Sequence, residues 1–84
     1  MEVHLLRKQQ ALDLIDHLQK QRRPIHGLEI FRNSGGLWES SLYKTAWFSS
    51  QRGVYQRART FIRHQMAGEW EVVEFKLGEL RPTG

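Results

Sequence analysis

The sequence predicts a small α+β domain: an antiparallel sheet carrying two helices on one face, in the order (β)αββαβ. Three observations carry this. Residues Pro24 to Phe48 read as a β-hairpin turned by two glycines. A stretch on each side of it has apolar residues at helical spacing. The last patterned stretch, Glu69 to Leu77, alternates with a period of two. At 84 residues there is room for one domain, expected over residues 1–77 with a loose tail over 78–84.

The elements follow in order. Glu2 to Leu6 is too short to classify: Val3 and Leu5 alternate as a first strand, or the segment extends into the helix. From Lys8 to Lys20 the pattern is helical, with Ala11, Leu14, Ile15 and Leu18 on one face and charged residues on the other. The run Lys20-Gln21-Arg22-Arg23 ends it where cations complement the helix dipole, and Pro24 turns Arg23 away from helical angles. If the first strand is real, the layout is a split β-α-β, ferredoxin-like sandwich; without it the sheet has three strands.

In the hairpin, Leu28 and Ile30 alternate with Glu29 and Phe31, as a half-buried strand does. Asn33-Ser34-Gly35-Gly36 is turn chemistry, since Asn tolerates and Gly freely adopts the left-handed region. Leu37-Trp38 resumes the apolar run, and Tyr43, Thr45 and Trp47 share one face of an extended segment. Ser40-Ser41 interrupts it, which predicts a bulge or bend.

Ser49-Ser50 offers caps for a second helix over Gln51 to Ala67, with Gly53 in its first turn and Gly68 as its stop. Val54, Ala58, Phe61 and Ile62 form its buried stripe. At 100° per residue, Arg52, Gln56, Arg59 and Arg63 fall within about 60° of each other on the other side. In the last strand Val73, Phe75 and Leu77 point one way; Trp70, Val72, Glu74 and Lys76 point the other.

Composition closes several functional classes. There is no cysteine, so disulfides, thiolate metal sites and cysteine nucleophiles are excluded, and a reducing, cytoplasmic setting is expected. No apolar run approaches the roughly 20 residues a membrane helix needs, and the opening MEVHLLRKQQ has no signal-peptide core. His4, His17, His26 and His64 are scattered, so no metal site is expected. The serines lack a nucleophile-elbow motif, and Glu69, Glu71 and Glu74 follow an exposed-strand pattern. An enzyme is not expected, nor any cofactor.

What remains points to binding. The net charge is +4, and no acidic residue lies between Glu39 and Glu69, where Lys44, Arg52, Arg57, Arg59 and Arg63 fall. Two helices on one side of a sheet cannot cover Phe31, Trp38, Tyr43, Trp47 and Trp70 together. Part of this set is therefore expected at an interface with a protein partner or a second copy, where Trp, Tyr and Arg carry most of the binding energy. The same arginines and aromatics suit a phosphate backbone and stacked bases, so RNA or DNA is the alternative partner.

The segment GLEIFRNSGGLW resembles the corresponding stretch of immunity proteins that neutralise tRNA-cleaving colicins, with their pattern Gly-Leu-x-Ile, four residues, Gly-Gly-x-Trp. Gly27, Leu28, Ile30, Gly35, Gly36 and Trp38 fill it without a gap. The surrounding order of elements is similar over most of the chain. The resemblance implies a shared fold more than a shared target, and the reading it favours is a small inhibitor or immunity-like factor from a bacterium or its mobile elements. Those proteins are acidic and mimic RNA in a basic cleft, whereas this chain is basic and has Asn33 and Ser34 in its turn. An acidic protein or a nucleic acid is the better electrostatic match. The residues expected to make contact are Phe31, Trp38, Tyr43 and Trp47 as apolar anchors, with Lys44, Arg52, Arg59 and Arg63 as charged ones.

Overall fold

The computed structural model describes residues 2–34, 36–66 and 70–78; the side chains of residues 2–4, 34, 38 and 40–43 lie outside the described set. The elements are β1 (Glu2–Leu6), α1 (Lys8–Gln21), β2 (Ile25–Ser34), β3 (Leu37–Trp47), α2 (Val54–Gln65) and β4 (Glu71–Leu77). The ambiguous opening segment is a strand: Glu2 and Val3 pair with Lys76 and Phe75 of β4. The sheet order is β1-β4-β2-β3, and every neighbouring pair is antiparallel. Two split β-α-β units interlock, with β4 between β1 and β2, and β2 between β3 and β4.

The core lies between the helices and one face of the two central strands. Leu28 and Ile30 of β2 stand beside Phe75 and Val73 of β4, and all four are fully buried. Ala11, Ile15 and Leu18 of α1 and Val54, Ala58 and Ile62 of α2 close over them, so one apolar stripe per helix meets one sheet face. Leu14 and Phe61 pack at the margin of this cluster.

α1 ends as its cationic run suggests. Arg22 adopts the left-handed conformation at φ 54°, its N–H donates to the Gln19 carbonyl at 3.1 Å, and the Arg23 N–H donates to the Leu18 carbonyl at 2.9 Å. α2 departs from expectation. It begins at Val54, not Gln51, and its N-cap is Gly53 at φ 65° instead of a serine. The reason is tertiary. The Gln51 side chain is committed elsewhere, accepting from the Ile25 N–H at 3.0 Å and donating to the Ile25 carbonyl at 2.8 Å. The Ser50 hydroxyl is engaged by the Arg52 N–H at 3.2 Å. Residues 51–53 thus lie along the start of β2, and helix begins only after them. The Tyr55 hydroxyl fastens the same corner by donating to the Arg23 carbonyl at 2.8 Å, and burial pushes its pKa above the usual phenol value.

The hairpin forms where its glycines stand. Ser34 pairs with Leu37, Gly36 has φ 89°, and its N–H donates to the Asn33 side-chain oxygen at 3.0 Å. The break at Ser40-Ser41 is a bulge: from Glu29↔Thr45 to Phe31↔Ser40, two residues of β2 correspond to five of β3. β4 starts at Glu71, with Trp70 in the preceding turn. Glu69 and the expected stop Gly68 lie outside the described residues. Gly78, expected to open a loose tail, is buried, and its N–H donates to the Pro24 carbonyl at 3.0 Å. The rest of that tail, residues 79–84, lies outside the described residues.

Candidate functional site

Register assigns the residues of the helix-free face. Gly27, Glu29 and Phe31 of β2 stand beside Trp47 and Thr45 of β3 and beside Lys76, Glu74 and Val72 of β4. At one end of this face, where β3 finishes, is a built unit. Gly27 has no side chain, and the Trp47 ring occupies the space: a Cβ on Gly27 would meet the ring at 2.9 Å. A strand glycine is the usual sign of such a close approach. The Lys76 ammonium lies over the ring at 4.8 Å from its centroid and also pairs with Glu29 at 3.5 Å. Trp47 is thus fixed beneath and above, yet remains 66% exposed. Phe31, farther along the same face, is half-buried. Trp38 stands opposite Asn33 in the ladder; its side chain and that of Tyr43 lie outside the described residues.

The expected arginine stripe is not one surface. Arg59 sits in the seam between the helices, where it donates to the Asp16 carboxylate at 2.7 Å and to the Gln19 amide oxygen. Arg57 folds back over the loop before α2, donating to the Ser50 carbonyl and, at 2.8 Å, to the Arg52 carbonyl, with its guanidinium 5.3 Å from the Phe48 ring centroid. Arg52 precedes the helix instead of belonging to it; it and Arg63 are exposed, and neither guanidinium has a partner among the described residues. Lys44 is not free either: its ammonium donates to Glu71 at 2.7 Å, and both side chains are largely covered. The physical difference is that a helical wheel shows which residues face away from a core but not which neighbouring element supplies a counter-ion.

Among the described residues, three large apolar side chains outside the expected anchor set are also exposed: Leu5 in β1, Leu37 at the hairpin end, and Trp70 just before β4. The sequence signal for Trp70 is its parity with Val72, Glu74 and Lys76. Among the described residues no cluster of three or more metal-ligating side chains occurs, and no helix is long and apolar enough to cross a membrane. No family model, curated protein or solved structure matches this chain.

Proposed function

We propose that this chain is a small non-enzymatic inhibitor, immunity-like in build, that covers a functional surface of a partner protein with its helix-free sheet face. One observation carries the reading. Trp47 is held in a defined orientation between Gly27 and Lys76 while two-thirds of it faces solvent, and the core closes without it. A large, rigid, amphipathic ring presented in this way is the commonest kind of binding anchor, because little side-chain freedom is left to lose on association. Phe31 extends the apolar part of the face, with Glu29, Glu74 and Lys76 as its polar surround. The resemblance of Gly27 to Trp38 to colicin immunity proteins supports the same class. A phosphate-tracking arginine stripe is less well supported, since Arg57 and Arg59 are committed within the chain.

The test is affinity capture from the native host, with the protein and its Trp47→Ser variant as parallel baits. A protein retained in near-stoichiometric amount by the first and depleted at least about tenfold by the second is expected, the loss typical of an anchor residue. Retention that is unchanged by the substitution, or that disappears on nuclease treatment, would count against the reading.

A further inference from the structure

The cations of this chain are not treated alike. Lys44 is neutralised by Glu71, Lys76 by Glu29 and Arg59 by Asp16. Arg32, at the hairpin end of β2, stands in the ladder between Glu39 and Glu71. The opposite end of β2 differs. There the close of α1 and the loop before α2 are tied to the strand. The Gln51 amide bonds the Ile25 backbone, the Tyr55 hydroxyl donates to the Arg23 carbonyl at 2.8 Å, and the Gly78 N–H donates to the Pro24 carbonyl at 3.0 Å. This corner gathers Arg22, Arg23, Arg52 and Arg57, and none of them pairs with a carboxylate among the described residues. Two are held by neutral acceptors instead. Arg23 donates through Nε to the Gly78 carbonyl at 3.2 Å, and Arg57 donates to the Ser50 and Arg52 carbonyls. A carbonyl orients a guanidinium without cancelling its charge, and each of the two keeps N–H groups beyond those used. Arg22, Arg52 and Arg57 are exposed. The dipole of α1 calls for only about half a positive charge at its end. Glu79, the next residue after Gly78 in sequence, would offset one arginine and leave the rest uncompensated.

We infer that this corner is a docking surface for a nucleic-acid phosphate backbone, bound without regard to base sequence. The occupant follows from what surrounds the charge. Among the described residues, the exposed large apolar side chains are Leu5, Leu37, Trp47 and Trp70; none belongs to the last turn of α1 or to residues 49–57. A protein interface or a membrane surface recruits apolar anchors beside its cations. A phosphate backbone asks only for successive positive charges with forked donors. The surface is not the stripe along α2 that helical spacing suggests. Arg59 of that stripe is neutralised by Asp16, and the corner draws its arginines from the end of α1, the loop before α2 and the first turn of α2. It also stands apart from the binding reading above, which rests on Trp47 of the helix-free face and requires no nucleic acid.

The test is fluorescence anisotropy of labelled single-stranded RNA, single-stranded DNA and duplex DNA of equal length, titrated with the full chain at several salt concentrations. Affinity for duplex DNA should fall with salt at a log–log slope of about 3, as when three or four phosphates are neutralised. Binding of any of the three that depends on the corner arginines bears the inference out, and the strongest of them names the backbone. Arg22→Gln and Arg52→Gln, both at exposed positions, should each weaken binding about tenfold at low salt and lower the slope by about one. Arg32→Gln removes the same charge at the hairpin end and should leave affinity and slope unchanged. No binding at low salt, or an equal loss in Arg32→Gln, overturns the inference. Displacement by poly-glutamate at the same charge concentration also overturns it, in favour of an acidic protein. The titration contains no partner protein, so it can fail while Trp47-dependent capture succeeds, and the two readings fall separately.

Discussion

The two faces of the central strands share a backbone and differ in almost everything else. On the helix side, Leu28, Ile30, Val73 and Phe75 are fully buried, and their neighbours are aliphatic. On the other side the same two strands carry Glu29, Glu74 and Lys76 around a tryptophan from β3. Alternation alone accounts for the polarity. It does not account for Trp47, which a purely solvated face has no use for and which this face positions with a glycine and a cation. The difference teaches that one side of the sheet closes the core while the other presents a positioned ring, so the proposed binding reading puts recognition on the side that stability does not use. Substitutions on one side should disturb stability with little effect on binding, and the reverse.

The largest expected effect breaks the buried side. Phe75→Ala removes the largest fully buried side chain among the described residues and leaves a cavity between the sheet and the helices. It should cost about 3–5 kcal/mol, enough to unfold much of the population of so small a domain, measured as the midpoint of urea unfolding. A loss below about 1 kcal/mol would mean that the helices do not rely on this contact.

Next in size is Gly27→Ala on the exposed side. The added Cβ meets the Trp47 ring at 2.9 Å and the Ala46 carbonyl at 3.0 Å, so the ring must move and the strand must adjust. About 1–2 kcal/mol is expected, together with a change in tryptophan fluorescence as the ring leaves Lys76. An unchanged spectrum would show that the ring is not seated on Gly27.

The smallest effect has the opposite sign. The Thr45 hydroxyl is buried on the helix-free face with no hydrogen-bond partner among the described groups. Thr45→Val keeps the shape and deletes the unsatisfied oxygen, and should be neutral or stabilising by up to about 1 kcal/mol in the same urea assay. Marked destabilisation would indicate that the hydroxyl is bonded in solution.

These contrasts also show what local sequence can convey. The hairpin was readable because its causes are local: Asn33 closes its own turn, Gly36 takes a positive φ, and Leu28 and Ile30 alternate with charge. The bulge at Ser40-Ser41 was readable for the same reason. The sheet order was not, since β4 is placed between β1 and β2 by contacts distant in sequence. The start of α2 was misplaced because Gln51 gives its amide to Ile25, twenty-six residues away in sequence. Arg59 looked free on a wheel because its counter-ion, Asp16, belongs to another helix. Of the candidate contact set, Trp47 was legible as an aromatic off the core side. The glycine beneath it and the lysine above it emerge only when three strands are set side by side.

Both rims of the sheet are spoiled. β1 slips register between Val3 and Leu6, with Leu5 at φ 59°, and β3 carries its bulge opposite Glu29 and Phe31. A straight, unbroken rim would be a template on which further molecules could add strand by strand into fibrils. With neither rim continuous, a chain that shows Trp47 and Trp70 to water is still a poor seed for its own polymer.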